Sequence, residues 1–202
     1  LLNQEFKPDE LILWLSQEEF PNKEKDLPQV VLKFRENGLQ IKWCENLYSY
    51  KKLIPTLKEY KNTNCIIVTA DDDIYYEKNW LLELYKSHLK EPNCIICHRA
   101  HKIKLENGNI APYKKWKKKI KGDFPLYKNF FTGAGGVLYP PNSLHKDIDN
   151  VELFTRLAPK ADDIWFWAMA VLNKTPIYIA ENRVRELSLI HISEPTRPRL
   201  IS

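Results

Sequence analysis

Three consecutive aspartates, Asp71, Asp72 and Asp73, follow the apolar segment 65–69. Because their carboxylates repel one another at neutral pH, a bound cation is the simplest way to stabilise them side by side. Hard oxygen ligands suit Mg²⁺ or Mn²⁺, and either ion then bridges phosphate oxygens. The triplet therefore predicts a divalent-cation site in which Asp71 and Asp73 face the same way. The alternative is a solvated loop that ends in an N-cap aspartate for the following helix.

Two other uses of the triplet fit the spacing poorly. A calcium-binding EF-hand loop starting at Asp71 needs glycine in sixth place and glutamate in twelfth place, where this sequence has Tyr76 and Leu82. A phosphatase of the haloacid-dehalogenase type, with Asp71 as nucleophile, needs a threonine where Tyr75 stands and an aspartate where Tyr127 stands. We keep the phosphatase only as an alternative function.

A second acidic pair, Asp162 and Asp163, opens the aromatic-rich helical stretch 162–173. A carboxylate at the start of a helix is often a simple cap, and that is one interpretation of Asp162. Asp163 becomes a candidate general base if the fold brings it close to the triplet, because a base must reach the hydroxyl that it deprotonates. The neighbouring Trp165 and Trp167 either stack on a sugar ring or belong to the core.

Between the two acidic segments lie a lysine-rich stretch and a glycine-rich stretch. Gly133, Gly135 and Gly136 allow close backbone approach to a ligand, or else mark a bulged strand. Six lysines from Lys114 to Lys121 surround Trp116. They form either a solvated loop or a surface that attracts an anionic donor, an acidic glycan or a membrane. We expect no nucleic-acid partner, since no recognised binding module accompanies the lysines.

The composition is that of an ordinary globular domain rather than of a fibrous, disordered or disulfide-rich chain. Of 202 residues, 44% are apolar and 28% are charged, with a net charge of +5. The longest apolar run, 164–172, falls well short of the ~20 residues that a membrane-spanning helix needs. The four cysteines, at positions 44, 65, 94 and 97, indicate buried thiols in a reducing compartment.

Segments with strand-like and helix-like patterns alternate along the chain and must position these side chains. The alternation predicts a single α/β domain with a mostly parallel sheet. Ligands of such sheets bind beyond the carboxyl ends of the strands, where the aspartate triplet falls. The predicted strands span 10–15, 39–43, 65–69, 94–103, 130–139 and 176–180, and the predicted helices span 27–37, 50–60, 77–89 and 162–173.

The order of these parts resembles bacterial nucleotide-sugar glycosyltransferases of the GT-A fold, close to the large inverting family two. The resemblance covers roughly residues 1–183 and implies a Rossmann-like GT-A domain over residues 1–186, with a mixed, mostly parallel sheet flanked by helices. It also implies that the family's first strand is missing, together with the residues that bind the nucleotide base. That loss should leave a gap or an unpaired edge in the sheet. Four segments carry the resemblance: 2–14, 70–74, 135–141 and 161–165.

The same resemblance assigns roles to individual residues. Asp71 and Asp73 match the Asp-x-Asp motif that holds a divalent metal, Mn²⁺ or Mg²⁺, on the donor diphosphate. Asp163 matches the base that deprotonates the acceptor, and Asp162 is the first acid of that motif. The residues placed around the donor are Asp71, Asp72, Lys52, Gly135 and Gly136.

The implied activity is the transfer of a sugar, with inversion, from a nucleotide-diphosphate sugar to a glycan or lipid-linked glycan acceptor in bacterial surface polysaccharide synthesis. A Gln-x-x-Arg-Trp motif is missing after Asp163, so a processive synthase is not expected. The expected location is the cytoplasm, with peripheral contact at the inner membrane face through the lysines from Lys114 to Lys121. The alternatives are a phosphatase and a non-catalytic relic that binds a nucleotide sugar or a glycan.

Residues 187–202 resemble the translated sequence of a common sequencing adapter over eleven consecutive residues, from Leu187 to Arg197. We therefore expect a non-native tail that has no selected reason to pack, after a domain that ends at residue 186. Removal of this tail is expected to leave the stability of the domain unchanged.

Overall fold

The computed structural model describes residues 1–122 and 124–181, and the backbone of 186–188. Over these residues the chain is a mixed α/β protein, as the sequence predicts. The α-helices are α1 (Gln29–Lys33), α2 (Ile54–Glu59), α3 (Trp80–Lys90), α4 (Val151–Leu157) and α5 (Asp162–Leu172). The strands are β1 (Leu11–Ser16), β2 (Leu39–Cys44), β3 (Ile67–Thr69), β4 (Ile74–Tyr76), β5 (Ile95–Cys97), β6 (Ala100–Lys102), β7 (Leu105–Glu106), β8 (Asn109–Ile110), β9 (Asn129–Phe131), β10 (Val137–Tyr139), β11 (Ile177–Ile179) and β12 (Glu186–Ser188).

The central sheet has the strand order β11-β5-β10-β3. Strands β3, β5 and β11 run in one direction, and β10 runs against them between β3 and β5. The expectation of a mixed sheet is therefore confirmed. Three of its four strands run in the same direction, but the position of β10 between β3 and β5 makes two of its three strand pairs antiparallel.

The antiparallel pairing arises where the sequence predicts one strand over 94–103. That segment forms two short strands, β5 and β6, and the returning segment forms β9 and β10. Strand β6 pairs with β9 and β5 pairs with β10, both antiparallel. A parallel pair of strands needs a crossover connection, usually a helix. Here the chain returns antiparallel through a hairpin-like excursion, which needs no such helix.

Strands β1 and β2 form a separate parallel sheet, with Leu11 opposite Leu39 and Ser16 opposite Cys44. Within the described residues, β1 is paired on one side only, and so is β3 at the edge of the central sheet. Both strands line one large cavity. In the described residues the two sheets are therefore not joined, and β1 and β3 are edge strands.

The helices follow the turn chemistry of the sequence. The predicted helix 27–37 forms as α1 continued by a 3₁₀ helix, Phe34–Asn37, and ends at Gly38 with φ +97°. The predicted helix 50–60 is split into a 3₁₀ helix, Tyr48–Lys52, and α2, whose first turn contains Pro55. In the part of the chain that the structure describes, no helix has both the length and the apolar character needed to cross a bilayer.

Successive residues of the central strands alternate between two hydrophobic clusters, as the period of a strand requires. On β5, Ile95 and Cys97 belong to one cluster and Ile96 belongs to the other. The first cluster contains residues of α5 and of the segment that leads into α2, and the second contains residues of α3. The sheet is thus covered on both faces. Fully buried side chains of the first cluster include Tyr50, Leu53, Phe131 and Phe166.

Strand β12 crosses the boundary that the sequence predicts at residue 186. Leu187 and Ser188, which fall in the expected tail, pair antiparallel with Tyr75 and Ile74 of β4. Ladder hydrogen bonds join backbone groups, which every non-proline residue carries, so a segment without a selected sequence is able to form them. Residues 189–202 lie outside the described part of the chain.

Candidate functional site

The side chain of Lys52 lies at the centre of an acidic cluster. Its Nζ is 2.8 Å from Asp162 Oδ2, 3.1 Å from Asp71 Oδ1 and 3.8 Å from Asp163 Oδ1. Burial by itself lowers the pKa of Lys52, but the negative charges of Asp162, Asp163 and Asp71 outweigh that effect and hold the pKa above its ordinary value. Lys52 therefore remains protonated and joins two acidic segments that are about 90 residues apart in sequence.

Asp163 is fixed from the other side by the glycine-rich turn. The backbone N–H of Gly133 donates to Oδ1 and Oδ2 of Asp163, both at 3.0 Å. Burial raises the pKa of Asp163 to about 6, against the lowering effect of the Lys52 charge. A carboxylate with this pKa changes its protonation state near neutral pH, which is a property of groups that transfer protons.

Asp162 is the least exposed of the three carboxylates around Lys52, with 13% of its side chain accessible. It is the first residue of α5, after Ala161 as N-cap, and its side chain makes no capping hydrogen bond. The interpretation of Asp162 as a simple cap is therefore wrong. Its Oδ1 instead accepts a 2.9 Å hydrogen bond from Ser49, while its Oδ2 lies beside Lys52.

The aspartate triplet lies at the carboxyl end of β3, as the strand pattern predicts. Asp71 points to Lys52, Asp72 is exposed, and Asp73 is half-buried. The triplet is followed by β4 rather than by a helix, and the N-cap of α3 is Asn79. The alternative of a helix cap at the end of the triplet is therefore wrong.

The glycine-rich segment supports the cluster by close packing. A Cβ atom at Gly133 would lie 2.9 Å from Asp163 Oδ1 and would overlap the ammonium group of Lys52. Gly136 has φ +87°, and a Cβ there would overlap the indole of Trp80. Trp80 Nε1 also donates to the carbonyl oxygen of Gly135 at 2.8 Å. The glycines therefore do allow a close approach of the backbone, but the groups that approach it are side chains of the protein itself.

The predicted donor-side residues do not all reach the cavity. Asp71, Asp72 and Lys52 line it, as do Asp73, Asp162 and Asp163. Gly135 and Gly136 are buried against Trp80 and are not among the lining residues, whereas Ala134 between Gly133 and Gly135 is.

The cavity has a volume of about 1270 Å³, which exceeds the ~300–1,000 Å³ usual for a small-molecule site. Its lining includes apolar residues of β1 and β3, and also Lys52 with the five aspartates of the two acidic segments. A ligand that spans it would combine a part that contacts apolar side chains with a part that carries or binds a cation.

A divalent cation fits the charge of this site, although no complete metal cage is formed. Among the described residues, no group of three or more histidine, cysteine, aspartate or glutamate side chains is arranged to hold an ion. The five aspartates outnumber the ammonium group of Lys52, so negative charge is in excess there and a cation would be stabilised. Mg²⁺ is typically held by one or two carboxylates plus substrate phosphates, and this arrangement needs no all-protein cage.

The two tryptophans after Asp163 have different environments. Trp165 is 3% exposed, stacks edge-on against Phe154 and donates from Nε1 to the Ile148 carbonyl oxygen at 3.0 Å, so it belongs to the core. Trp167 is half-buried and lies against Phe130. Of the two sugar-stacking candidates, only Trp167 presents an accessible surface.

Sequence reasoning missed Ser49, Tyr76 and Trp80. Ser49 precedes Lys52 by three residues, and residues three apart in a 3₁₀ helix lie on the same side, so this spacing is the one signal that links Ser49 to the site. The Tyr76 hydroxyl accepts from the Asp71 N–H at 2.9 Å and donates to the Ala134 carbonyl oxygen, so it ties the triplet to the glycine turn. Nothing in the sequence signals that contact.

Comparison of the chain with protein-family models and with curated proteins finds no match. The site's chemistry therefore rests on its own geometry.

Proposed function

We propose that this protein transfers a sugar, with inversion, from a nucleotide-diphosphate sugar to a glycan or lipid-linked glycan acceptor. The observation that carries the proposal is the meeting of the two acidic segments at Lys52. Asp71 and Asp163, each within 4 Å of Lys52 Nζ, line the same cavity. Inverting transfer needs a group that supports the departing diphosphate and a base for the acceptor, and the two segments supply candidates for both.

Asp163 is the base in this proposal. With a pKa of about 6, it is roughly nine-tenths ionised at pH 7, yet it accepts a proton more readily than an ordinary aspartate. The bidentate hydrogen bond from Gly133 fixes the direction of its oxygens. Removal of an acceptor proton by such a group contributes roughly 10²–10⁴-fold to the rate.

Asp71 and Asp73 would hold the divalent ion, Mn²⁺ or Mg²⁺, with Asp72 beside them. When bound, the ion supplies positive charge that stabilises the departing diphosphate. Lys52 holds the Asp71 side chain in place, because its ammonium group lies 3.1 Å from Asp71 Oδ1. The cellular context that fits this activity is polysaccharide assembly in the cytoplasm.

A second candidate function is binding of a nucleotide sugar without catalysis. The observation in its favour is that the described residues hold no group of three metal ligands. A third function, the phosphatase, would require Asp71 to act as a nucleophile. These functions differ in what they bind and release, so one set of measurements separates them.

The test is thermal stabilisation of the protein by UDP or GDP, with and without Mn²⁺. We expect the nucleotide and the metal together to raise Tm more than the sum of their separate effects, because each completes the site of the other. Asp73→Ala should abolish this joint effect. Asp163→Asn should retain it while losing sugar transfer from a nucleotide sugar. Asp26→Ala, at an exposed position outside the cavity, is the matched control and should retain both.

Three results would contradict the proposal. Release of inorganic phosphate from a sugar phosphate, lost in Asp71→Asn, would indicate the phosphatase. Joint binding without transfer to any glycan acceptor, in an otherwise active preparation, would indicate the binding protein. Transfer that persists in Asp163→Asn would remove Asp163 from the role of base.

A further inference from the structure

The positive charge of the protein is concentrated in one segment. Residues 102–128 contain nine lysines and two acidic residues, Glu106 and Asp123, and thus carry +7. We name the described part of this segment, residues 102–122 and 124–128, the basic face. The whole chain carries +5, so the residues outside 102–128 together carry −2. All nine lysines are exposed. Two of them, Lys104 and Lys115, form ion pairs with Glu106.

The basic face also exposes an unusual share of large apolar side chains. Six of the sixteen large hydrophobic residues that are exposed in the described chain fall in this segment of 26 residues. Phe124 is the most exposed of them, with 72% of its surface accessible. Leu105 and Ile110 stand directly opposite each other in the hairpin of β7 and β8, so their side chains lie on the same face. The six are Leu105, Ile110, Tyr113, Phe124, Leu126 and Tyr127.

An ordered backbone presents these side chains. Lys102 lies between two neighbouring segments: it exchanges backbone hydrogen bonds with Lys117 on one side and pairs with Asn129 on the other. The backbone N–H of Ile120 donates to the Ala100 carbonyl oxygen at 3.0 Å. Between the exposed lysines, Ile103 and Ile120 are buried. Residues 117–120 of the lysine-rich stretch and residues 128–131 therefore lie on the two sides of the same strand, β6.

We propose that the basic face binds a membrane surface that contains anionic lipids. Lysines near such a surface are attracted by the lipid headgroups, and exposed aromatic and aliphatic side chains enter the boundary between headgroups and acyl chains. A soluble polyanion, such as an acidic glycan or a nucleic acid, would satisfy the lysines but would leave Phe124 and the Leu105–Ile110 pair in water. The combination of charge and exposed apolar surface therefore favours the lipid surface.

This inference stands independently of the proposed function, but it has a consequence for it. Strand β9 leads from the basic face to the acidic cluster, and Gly133 comes five positions after Lys128. At the rise of a strand, that separation is at most about 16 Å. A membrane on the basic face would hold the acidic cluster near the lipid headgroups, where a lipid-linked acceptor is available.

The test is co-sedimentation of the full chain with vesicles at 50 mM and 300 mM NaCl. Vesicles of pure phosphatidylcholine are compared with vesicles that contain 30% phosphatidylglycerol. We expect binding to the anionic vesicles at low salt and much weaker binding to the neutral ones. Lys114→Gln/Lys117→Gln should reduce the partition coefficient about 30-fold, at about fivefold per lysine. Phe124→Ser should reduce it about tenfold at either salt concentration.

The control variants change the same residue types elsewhere on the surface. Lys25→Gln/Lys33→Gln removes two exposed lysines outside the basic face, and Leu89→Ser removes an exposed apolar side chain of α3. Both controls should bind as the unchanged protein does.

Three outcomes would overturn the inference. The first is failure to bind anionic vesicles at 50 mM NaCl. The second is equal loss of binding in the control variants. The third is binding of hyaluronan or single-stranded DNA as tightly as the vesicles with no effect of Phe124→Ser, which would assign the face to a soluble polyanion.

Discussion

Replacement of Lys52 by methionine tests the electrostatic arrangement of the site directly. Lys52→Met keeps the length and apolar stem of the side chain but removes the only positive charge within 4 Å of Asp71, Asp162 and Asp163 in the described structure. Only 18% of the Lys52 side chain is exposed, so the pairs count as largely buried. Loss of one partner from a buried ion pair costs about 3–5 kcal/mol.

The cost of Lys52→Met should depend on pH in a defined direction. Asp163 has a pKa of about 6 in the intact site, and loss of the ammonium charge would raise that pKa further. The folded variant therefore takes up a proton at higher pH than the folded unchanged protein does, and this protonation relieves the repulsion among the carboxylates. The destabilisation should be fully present above pH 7 and should shrink as the pH falls from 7 to 5.

Urea unfolding followed by tryptophan fluorescence at pH 5, 6, 7 and 8 measures this effect. At pH 8 the midpoint should fall by roughly 2 M urea. Lys51→Met is the matched control, because Lys51 is the neighbouring residue and pairs with the more exposed Glu19, a contact worth about 0–1 kcal/mol. Lys52→Arg should recover most of the stability. If Lys52→Met costs no more than Lys51→Met, or costs the same at every pH, the electrostatic account of the site is wrong.

Three further predictions concern stability. Asp163→Asn should stabilise the fold by at most about 3 kcal/mol above pH 7, because the raised pKa of Asp163 means that its charged form is disfavoured in the folded state. The gain should vanish as the pH falls from 6 to 4, and urea unfolding midpoints measured from pH 4 to pH 8 check this. Gly136→Ala should lower the free energy of unfolding by about 1–3 kcal/mol more than Gly38→Ala does. Gly38 is the control because it also has a positive φ, but a Cβ atom there would meet nothing within 4 Å. Equal losses of Tm in the two variants would argue against the contact with Trp80. Ser49→Ala should cost about 1–3 kcal/mol, measured by urea unfolding, because a buried carboxylate loses a hydrogen bond; Ser49→Thr should retain most of it.

Much of the local structure was predictable because short-range chemistry decides it. Gly38 ends the first helix, Pro55 lies in the first turn of α2, and Asn107–Gly108 joins β7 to β8. Strand β3 and helix α5 also follow their apolar patterns. These features depend on the conformational limits of a few neighbouring residues, so the sequence is sufficient to specify them.

The direction of strand pairing was not predictable in the same way. The apolar pattern over 94–103 predicts a single strand, but it contains no information about the partner of that strand. The partner is the segment 129–139, which returns antiparallel and splits the predicted strand into β5 and β6. Such pairing depends on how the excursion over residues 103–128 folds back, and that is a property of the whole domain.

For the site, the sequence by itself determined the supply of chemical groups: two acidic segments, a glycine-rich turn and a basic segment. The types and order of these groups are sufficient to make Asp71, Asp73 and Asp163 candidates for metal binding and proton transfer. Only the tertiary structure decided that the segments meet, that Lys52 lies between them, and that Gly133 rather than Gly136 contacts a carboxylate. The physical reason is that the sequence specifies charge, whereas distance and burial determine the interaction energy and the pKa of a charged group.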